Sequence, residues 1–226
     1  MGSLSGGRSR RTGPGVWAQE HSRLLSLLTA RLHPGDVFID VGANEGLFTI
    51  PIAEHVGADG RVHAFEPGPD TAQELRIRAS AANLLERVSV YEVALGAETG
   101  SRLLHADEEH PGDSTKRSLF IEGPVVAEVP VRAFDEMISS GEVILDRGLH
   151  AVKIDVEGAE LYVLQGMERS IRLYLPRLIA VETIERHLRR AGYALPALFG
   201  FLGHLGYVVL DVSDQELMFD AVFVLP

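Results

Sequence analysis

The sequence predicts an α/β protein: a mostly parallel sheet of about seven strands, helices on both faces, and an antiparallel hairpin at its C-terminal end. Three observations lead there. Apolar runs of strand length alternate with segments of helical period from Asp36 onward, a Gly-rich turn follows the first run, and only Ser213–Glu216 separates the last two, Tyr207–Val212 and Leu217–Leu225. Alternation of this kind indicates right-handed crossovers between parallel strands. The final gap is too short for a crossover helix, so those two strands are neighbours running in opposite directions. About six strands are then parallel and one is reversed near the edge, an arrangement that a plain dinucleotide-binding fold lacks.

The elements follow in order. Residues Val16–Leu32 have helical spacing, with Trp17, Leu24, Leu25, Leu27, Leu28 and Leu32 on one face, and Pro34-Gly35 stops that helix. Its apolar face offers a surface for a second copy, so a homodimer is one expectation. Asp36–Val41 reads as a fully buried parallel strand, followed by the turn and a helix over Glu45–Val56. Arg61–Phe65 is the second strand, Pro69–Ala82 a helix with proline at its start, and Val88–Val93 the third strand. The stretch 96–130 breaks the rhythm with strands around Leu103 and Val125–Val131 and a polar segment, Ala106–Arg117, between them; it reads as an inserted hairpin and loop beside the main sheet. Helix Ala133–Ser140, strand Ala151–Asp155, helix Ala159–Arg172 and strand Leu178–Glu182 restore the alternation. Phe199–Leu205 is apolar and suits core packing or the lining of a pocket.

Length and composition bound the function. The 226 residues suit a flexible tail over 1–15, rich in Gly, Ser and Arg, and a single domain over 16–226. A net charge of −11 argues against a nucleic-acid partner, whose binding needs a basic face. With no cysteine, disulfides, thiolate nucleophiles and cysteine-ligated zinc are excluded. No apolar run approaches the roughly 18 residues that would span a bilayer, so no membrane association is expected. Arg10-Arg11 is followed by Thr-Gly-Pro-Gly rather than an apolar stretch, so it does not make a twin-arginine signal and the expected location is the cytoplasm.

Ligands in such sheets sit outside the carboxyl ends of the strands. The first strand delivers Asp40-Val-Gly42-Ala-Asn44-Glu-Gly46 to that edge, and its glycines let backbone approach a ligand closely. Asn44 stands where the dinucleotide fingerprint has the glycine that admits pyrophosphate, so a cofactor without phosphates fits better. Glu66 ends the second strand, where a carboxylate can accept both hydroxyls of a ribose, and Pro67 fixes the backbone beyond it. Turn and acid together point to an adenosine-containing ligand, with Ala94-Leu95 placed to meet the adenine edge.

Three segments carry a family resemblance: Val37-Phe-Ile-Asp-Val-Gly-Ala-Asn-Glu-Gly-Leu-Phe48, Phe65-Glu-Pro67 and Val152-Lys-Ile-Asp-Val-Glu-Gly-Ala-Glu160. Across about Asp36–Glu182 the chain resembles the FkbM family of S-adenosylmethionine-dependent methyltransferases, and the final hairpin agrees with the Rossmann-like class I methyltransferase fold. The resemblance implies O-methylation, often of natural products or glycans. It assigns S-adenosylmethionine to Asp40, Gly42, Asn44, Gly46 and Glu66, with Asp155 near the sulfonium; by position, Ala43, Phe48, Pro67, Ala94 and Leu95 complete the cofactor candidates.

Methyl transfer needs the acceptor oxygen aligned, its proton removed and water kept out. Asp155 and Glu182 end neighbouring strands, Glu157 follows in the turn that Gly158 permits, and His187 lies about one helical turn past Glu182. These four are the catalytic candidates. Either Asp155 or His187 takes the hydroxyl proton, or Asp155 and Glu182 hold a Mg²⁺ that acidifies and orients the acceptor. No third ligand stands out, which favours the metal-free route. Plainer roles exist for each: Asp155 as a helix cap or as the partner of Lys153, Glu182 paired with Arg177 or Arg186, His187 as a surface histidine. His105 to Ser118 could form a lid over the cofactor, while His105 and His110 are too loosely spaced for a zinc site.

An NAD-dependent oxidoreductase and a non-catalytic adenosine-binding module are the competing readings; a serine hydrolase fails for lack of a Gly-x-Ser-x-Gly elbow. If Gly42 only makes room for cofactor, Gly42→Val abolishes binding and leaves the fold intact.

Overall fold

The computed structural model describes residues 14–212 and 220–226. Most of the expected tail and the Ser213–Glu216 turn lie outside the described residues, as does the side chain of Trp17. Helix α1 (Pro14–Thr29) leads into β1 (Val37–Val41), α2 (Thr49–Val56), β2 (Arg61–Phe65), α3 (Pro69–Ala81) and β3 (Val88–Tyr91). Next come β4 (Ala94–Leu95), β5 (Gly100–His105), β6 (Val125–Arg132) and α4 (Phe134–Ser140). The rest comprises β7 (Ala151–Ile154), α5 (Glu160–Gly166), α6 (Glu168–Tyr174), β8 (Leu178–Glu182), α7 (Glu185–Arg190), α8 (Leu195–His204), β9 (Val208–Val212) and β10 (Asp220–Val224).

Seven strands form the main sheet in the order β3-β2-β1-β7-β8-β10-β9. The first five pair in parallel, while β10 runs antiparallel to both β8 and β9. One reversed strand near the edge is the arrangement predicted from the short final gap. Strand alternation sorts the core into two layers. Val37, Ile39, Val41, Val152, Ile154, Ile179 and Val181 face α4, α5, α6 and α8. Phe38, Val62, Val88, Ala151, Ala180 and Val222 face the other way, towards α1, α2 and α3.

Several boundaries differ from expectation for identifiable reasons. Helix α1 starts at Pro14, inside the segment read as tail, because proline suits a helix start. Its Leu24 and Leu28, with Leu32 just beyond its end, are buried in the chain's own core, while Leu25 and Leu27 are half-buried. Helix α2 begins at Thr49 rather than Glu45, since Asn44 and Gly46 both take positive φ and hold the chain in a turn. The helix expected over Ala159–Arg172 is two helices meeting at Met167. In α8, Leu198 and Leu202 pack into the core, as does Leu205 just beyond it, the simpler of the two roles considered for that stretch.

The 96–130 stretch forms the expected hairpin. Strand β5 pairs antiparallel with β6, and β4 adds to β6 in parallel to make a separate small sheet. No helix among the described residues is long and apolar enough to cross a membrane.

Candidate active site

The carboxyl ends of β2, β1, β7 and β8 lie side by side, and each releases a turn carrying acidic or glycine residues. The turn after β1 is stitched to both neighbours: Gly42 and Ala43 donate backbone N–H groups to Phe65, and Asp155 donates its own to Val41. Gly42 lies so close to the backbone of Asp155 that no Cβ fits there, which contradicts the expectation that Gly42→Val spares the fold. Gly46 also has positive φ and packs against Leu75 and Ile50.

Glu66 closes this turn from the β2 side. Its Oε2 accepts the Asn44 N–H at 2.8 Å, and its Oε1 accepts the Gly68 N–H and the Thr71 hydroxyl, both at 2.8 Å. Burial raises its pKa, while those three bonds and the nearby Arg117 oppose the rise. A carboxylate has about four acceptor sites, and three are engaged. The Thr71 hydroxyl, however, also lies 2.9 Å from the Gly68 carbonyl and owns a single proton. When it donates to Gly68, Glu66 has two sites open, one for each hydroxyl of a ribose, with no heavy atom moved.

Beneath the turn lies a buried charge network. Lys153 reaches Asp155 at 3.2 Å and Asp40 at 3.4 Å, with its ammonium 4.8 Å from the Phe48 ring centroid. Burial alone would lower the lysine's pKa, but the two carboxylates reverse that and hold it above its ordinary value. Asp40 is fully buried and also accepts the Thr49 hydroxyl at 2.6 Å. Asp40 and Phe48, both expected to contact cofactor, therefore support the turn from below.

The β7 and β8 ends hold the second cluster. Glu157 takes a left-handed φ of 57°, costly for a non-glycine residue, and this directs its carboxylate to within 2.7 Å of His187 Nδ1. That approach is close but not aligned as a hydrogen bond. Gly158 then lets the chain pass against the His187 backbone, where a Cβ would stand 2.9 Å from its carbonyl oxygen. Ligand atoms of Glu157, Glu182 and His187 all fall within 4.8 Å of one another. Glu182 is 8% exposed, and its buried Oε2 has no hydrogen-bond partner. Burial, then the charges of Asp155, Glu157, Glu160 and Asp220, push its pKa well above the ordinary carboxylate range. Glu160 accepts the Val156 and Gly158 N–H groups and meets the Tyr193 hydroxyl at 3.1 Å; burial raises its pKa to about 7.

The polar loop spans both clusters. Ser114 bonds the Asn44 side chain at 3.1 Å, Arg117 forms a bidentate pair with Asp70 at 2.6 and 2.8 Å, and Ser118 donates to the Glu157 carbonyl at 2.7 Å. Beyond it, Phe120 stacks on Tyr162, which meets Tyr193 edge to face.

The structure thus brings Glu157, Glu182 and His187 together, with Asp155 tied to Lys153 beside them. The ion pairs considered for Glu182 do not form: Arg177 pairs with Asp36, and Arg186 donates to His187 Nε2. Asp155 does not cap α5, which lacks a side-chain cap. Ala94 and Leu95, expected at the adenine, are buried and take part in the small sheet. His105 bonds the Gly123 carbonyl, and His110 pairs with Asp107. Sequence reading missed Thr71, Thr49, Asp70 and Glu160. Asp70 and Glu160 carried a signal, each as an acid in the first turn of a helix.

Comparison with known proteins follows the same geometry. A family model described as the methyltransferase FkbM domain matches residues 40–209. The 31-O-demethyl-FK506 methyltransferase FkbM of Streptomyces tacrolimicus is 34% identical over 163 residues, which cover 61% of each chain. The hexuronic acid methyltransferase AglP of Haloferax volcanii is 28% identical over 149 residues, 66% of this chain and 57% of its own. The chain therefore spans about three fifths of the length of these relatives. Among solved structures, the O-methyltransferase TomG of Streptomyces achromogenes, in complex with S-adenosylmethionine, superposes with a TM-score of 0.55 at 12% identity, covering 92% of this chain and 81% of its own. Fibrillarin of Aeropyrum pernix, with natively bound S-adenosylmethionine, gives 0.54 at 13% identity, covering 90% and 74%. These structures share the class I methyltransferase fold with the present chain.

Proposed function

The chain belongs to the methyltransferase FkbM family, and from that premise we propose that it is an S-adenosylmethionine-dependent enzyme that methylates a hydroxyl on a small-molecule natural product or a sugar. The observation that carries this reading is the pairing of two unlike acidic sites across one Gly-rich turn. Glu66 stands on the β2 side with two acceptor positions available through Thr71, and the Asp155–Glu157–Glu182–His187 group stands on the β7 and β8 side.

When bound, S-adenosylmethionine supplies a methyl group on a cationic sulfonium. Glu66 holds the ribose hydroxyls, and the Gly42–Gly46 turn, with Ala43 and Asn44, lies along the cofactor, followed by Pro67 and Gly68. Asp155 and its neighbours favour positive charge at the sulfonium end, because the acidic side chains of Asp155, Glu157 and Glu182 crowd there, with Lys153 and Asp155 3.2 Å apart and His187 beside Glu157. The same group would receive the proton that the acceptor hydroxyl gives up on methylation. The loop carrying Ser114 and Arg117 covers this edge and keeps water out.

The names of relatives support a hydroxyl-bearing acceptor, since they include an O-demethyl macrolide and a hexuronic acid methyltransferase. A net charge of −11 supports a small acceptor over a nucleic acid. Calorimetric titration with S-adenosylmethionine and with NAD tests the cofactor. Binding of the first alone is expected; binding of NAD alone, or of neither, removes the proposal. Transfer of labelled methyl to hydroxylated acceptors then tests the reaction, and a chain that binds cofactor yet labels none of a broad acceptor panel favours the adenosine-binding module.

A further inference from the structure

We infer that Glu157, Glu182 and His187 bind one first-row divalent cation of the Mn²⁺ or Zn²⁺ type. This site differs from the Asp155–Glu182 pair that the sequence suggested for Mg²⁺. Its role towards the acceptor rests on the methyltransferase reading above; the cation site itself does not.

Distance comes first. The three ligand atoms lie within 4.8 Å of one another. A cation with bonds of about 2.1 Å sets neighbouring ligand atoms about 3.0–3.4 Å apart, so the widest pair must close by up to about 1.5 Å, a movement within reach of rotations of the glutamate side chains. The second observation is independent of that spacing. Glu182 Oε2 is buried without a hydrogen-bond partner, and neither arginine expected to neutralise it does so. A buried carboxyl oxygen without a partner is costly whether the group is ionised or protonated, and a cation that displaces the proton would satisfy it. Lys153 cannot do so, because it is shared between Asp40 and Asp155.

The donors choose the metal. Two carboxylates and one imidazole make a mixed oxygen and nitrogen set; imidazole is a poor ligand for Mg²⁺ and Ca²⁺ and a good one for first-row transition ions. Three protein ligands also leave coordination positions open, which is how catalytic rather than structural sites are built. A hydroxyl of the acceptor in one such position would be acidified and aimed at the sulfonium end.

Arg186 opposes this site. A guanidinium can only donate, so the 3.0 Å contact from its Nε to His187 Nε2 puts the ring proton on Nδ1, beside Glu157. A cation at Nδ1 displaces that proton to Nε2, and the exposed Arg186 must turn away. The guanidinium is therefore a competitor at the mouth of the site.

The test is Mn²⁺ titration of the chelator-treated full chain, followed by electron paramagnetic resonance, with S-adenosylmethionine titrated separately. One Mn²⁺ per chain is expected, weakened at least tenfold in Glu182→Gln and Glu157→Gln variants whose thermal melts show that they fold. Arg186→Ala, at an exposed position, should bind Mn²⁺ several-fold more tightly. No binding by the parent chain, unchanged binding in both glutamine variants, or no gain in Arg186→Ala would overturn the site. Cofactor binding without Mn²⁺ binding sinks the metal alone, and Mn²⁺ binding without cofactor binding sinks the methyltransferase reading alone.

Discussion

A Cβ on Gly42 would stand 1.8 Å from the carbonyl oxygen of Asp155 and 2.8 Å from its carbonyl carbon. The chain leaving β1 thus lies directly on the chain leaving β7, and the neighbour is backbone, which cannot rotate aside. Gly42 also has a φ of 76°, a region that L residues enter at a cost of about 1–2 kcal/mol. Gly42→Ala should therefore destabilise the ligand-free protein by on the order of 3 kcal/mol once overpacking is added. Thermal unfolding checks this: a melting temperature about 10 °C lower is expected. A variant that melts with the parent would mean that this contact is not tight.

Glu66 and Thr71 should separate in a cofactor-binding assay. Glu66→Gln loses a charged acceptor, and a charge-assisted hydrogen bond contributes about 1.5–3 kcal/mol. Affinity for S-adenosylmethionine should fall at least tenfold. Thr71→Val removes only a hydroxyl that already has to turn away, so affinity should stay within about threefold. Equal losses in the two variants would contradict the assignment of Glu66 to the ribose.

His63 sets a pH dependence of stability. Burial, followed by the charge of Arg61, lowers its pKa to about 4 from 6.5. Between those values the unfolded chain binds a proton that the folded chain refuses, so stability rises with pH across the window. The contribution is full above about 6.5 and is lost as pH falls towards 4. It amounts to at most about 3 kcal/mol. Urea unfolding at pH 7 and pH 5 should show the decline, and His63→Phe should flatten it. Because the raised carboxyl groups of Glu160 and Glu182 act in the opposite direction over this range, the comparison between the two chains decides: the same change from pH 5 to pH 7 in parent and His63→Phe would exclude this role.

The loop contacts should matter for ligand residence rather than for folding. The Arg117–Asp70 pair lies partly in solvent, where ion pairs contribute about 0–1 kcal/mol. Combining Ser114→Ala with Arg117→Ala should leave unfolding free energy within about 1 kcal/mol. Dissociation of S-adenosylmethionine, followed by stopped flow, should quicken several-fold. An unchanged rate would show that the loop does not close over the cofactor.

Strand direction, the final antiparallel pair and the adjacency of β7 and β8 were legible because they depend on period, crossover length and one short gap. Arg61–Phe65 and Leu178–Glu182 coincide with β2 and β8 to the residue, since apolar runs bounded by charge or glycine leave little freedom. The turn over residues 44–48 was not legible. Its helical composition is overridden by two positive-φ residues whose conformation depends on Glu66 and Leu75, which are distant in sequence. The site was legible as a set of acids but not as a grouping. Nothing local says that Lys153 joins Asp155 to Asp40, or that Glu157 in a left-handed turn reaches His187. Side-chain direction after a strand end is set by the turn, and the turn is set by what packs against it.

The reversed strand β10 sits between β8 and β9, although β9 precedes it in the chain. Among the described residues, β9 bonds within the main sheet to β10 alone, so the pair joins the sheet only through the ladder between β10 and β8. Damage to β10 would strip two strands from the sheet and bare the edge of β8, next to Glu182. An injury at the chain's last strand would be felt as a loss at the acidic cluster.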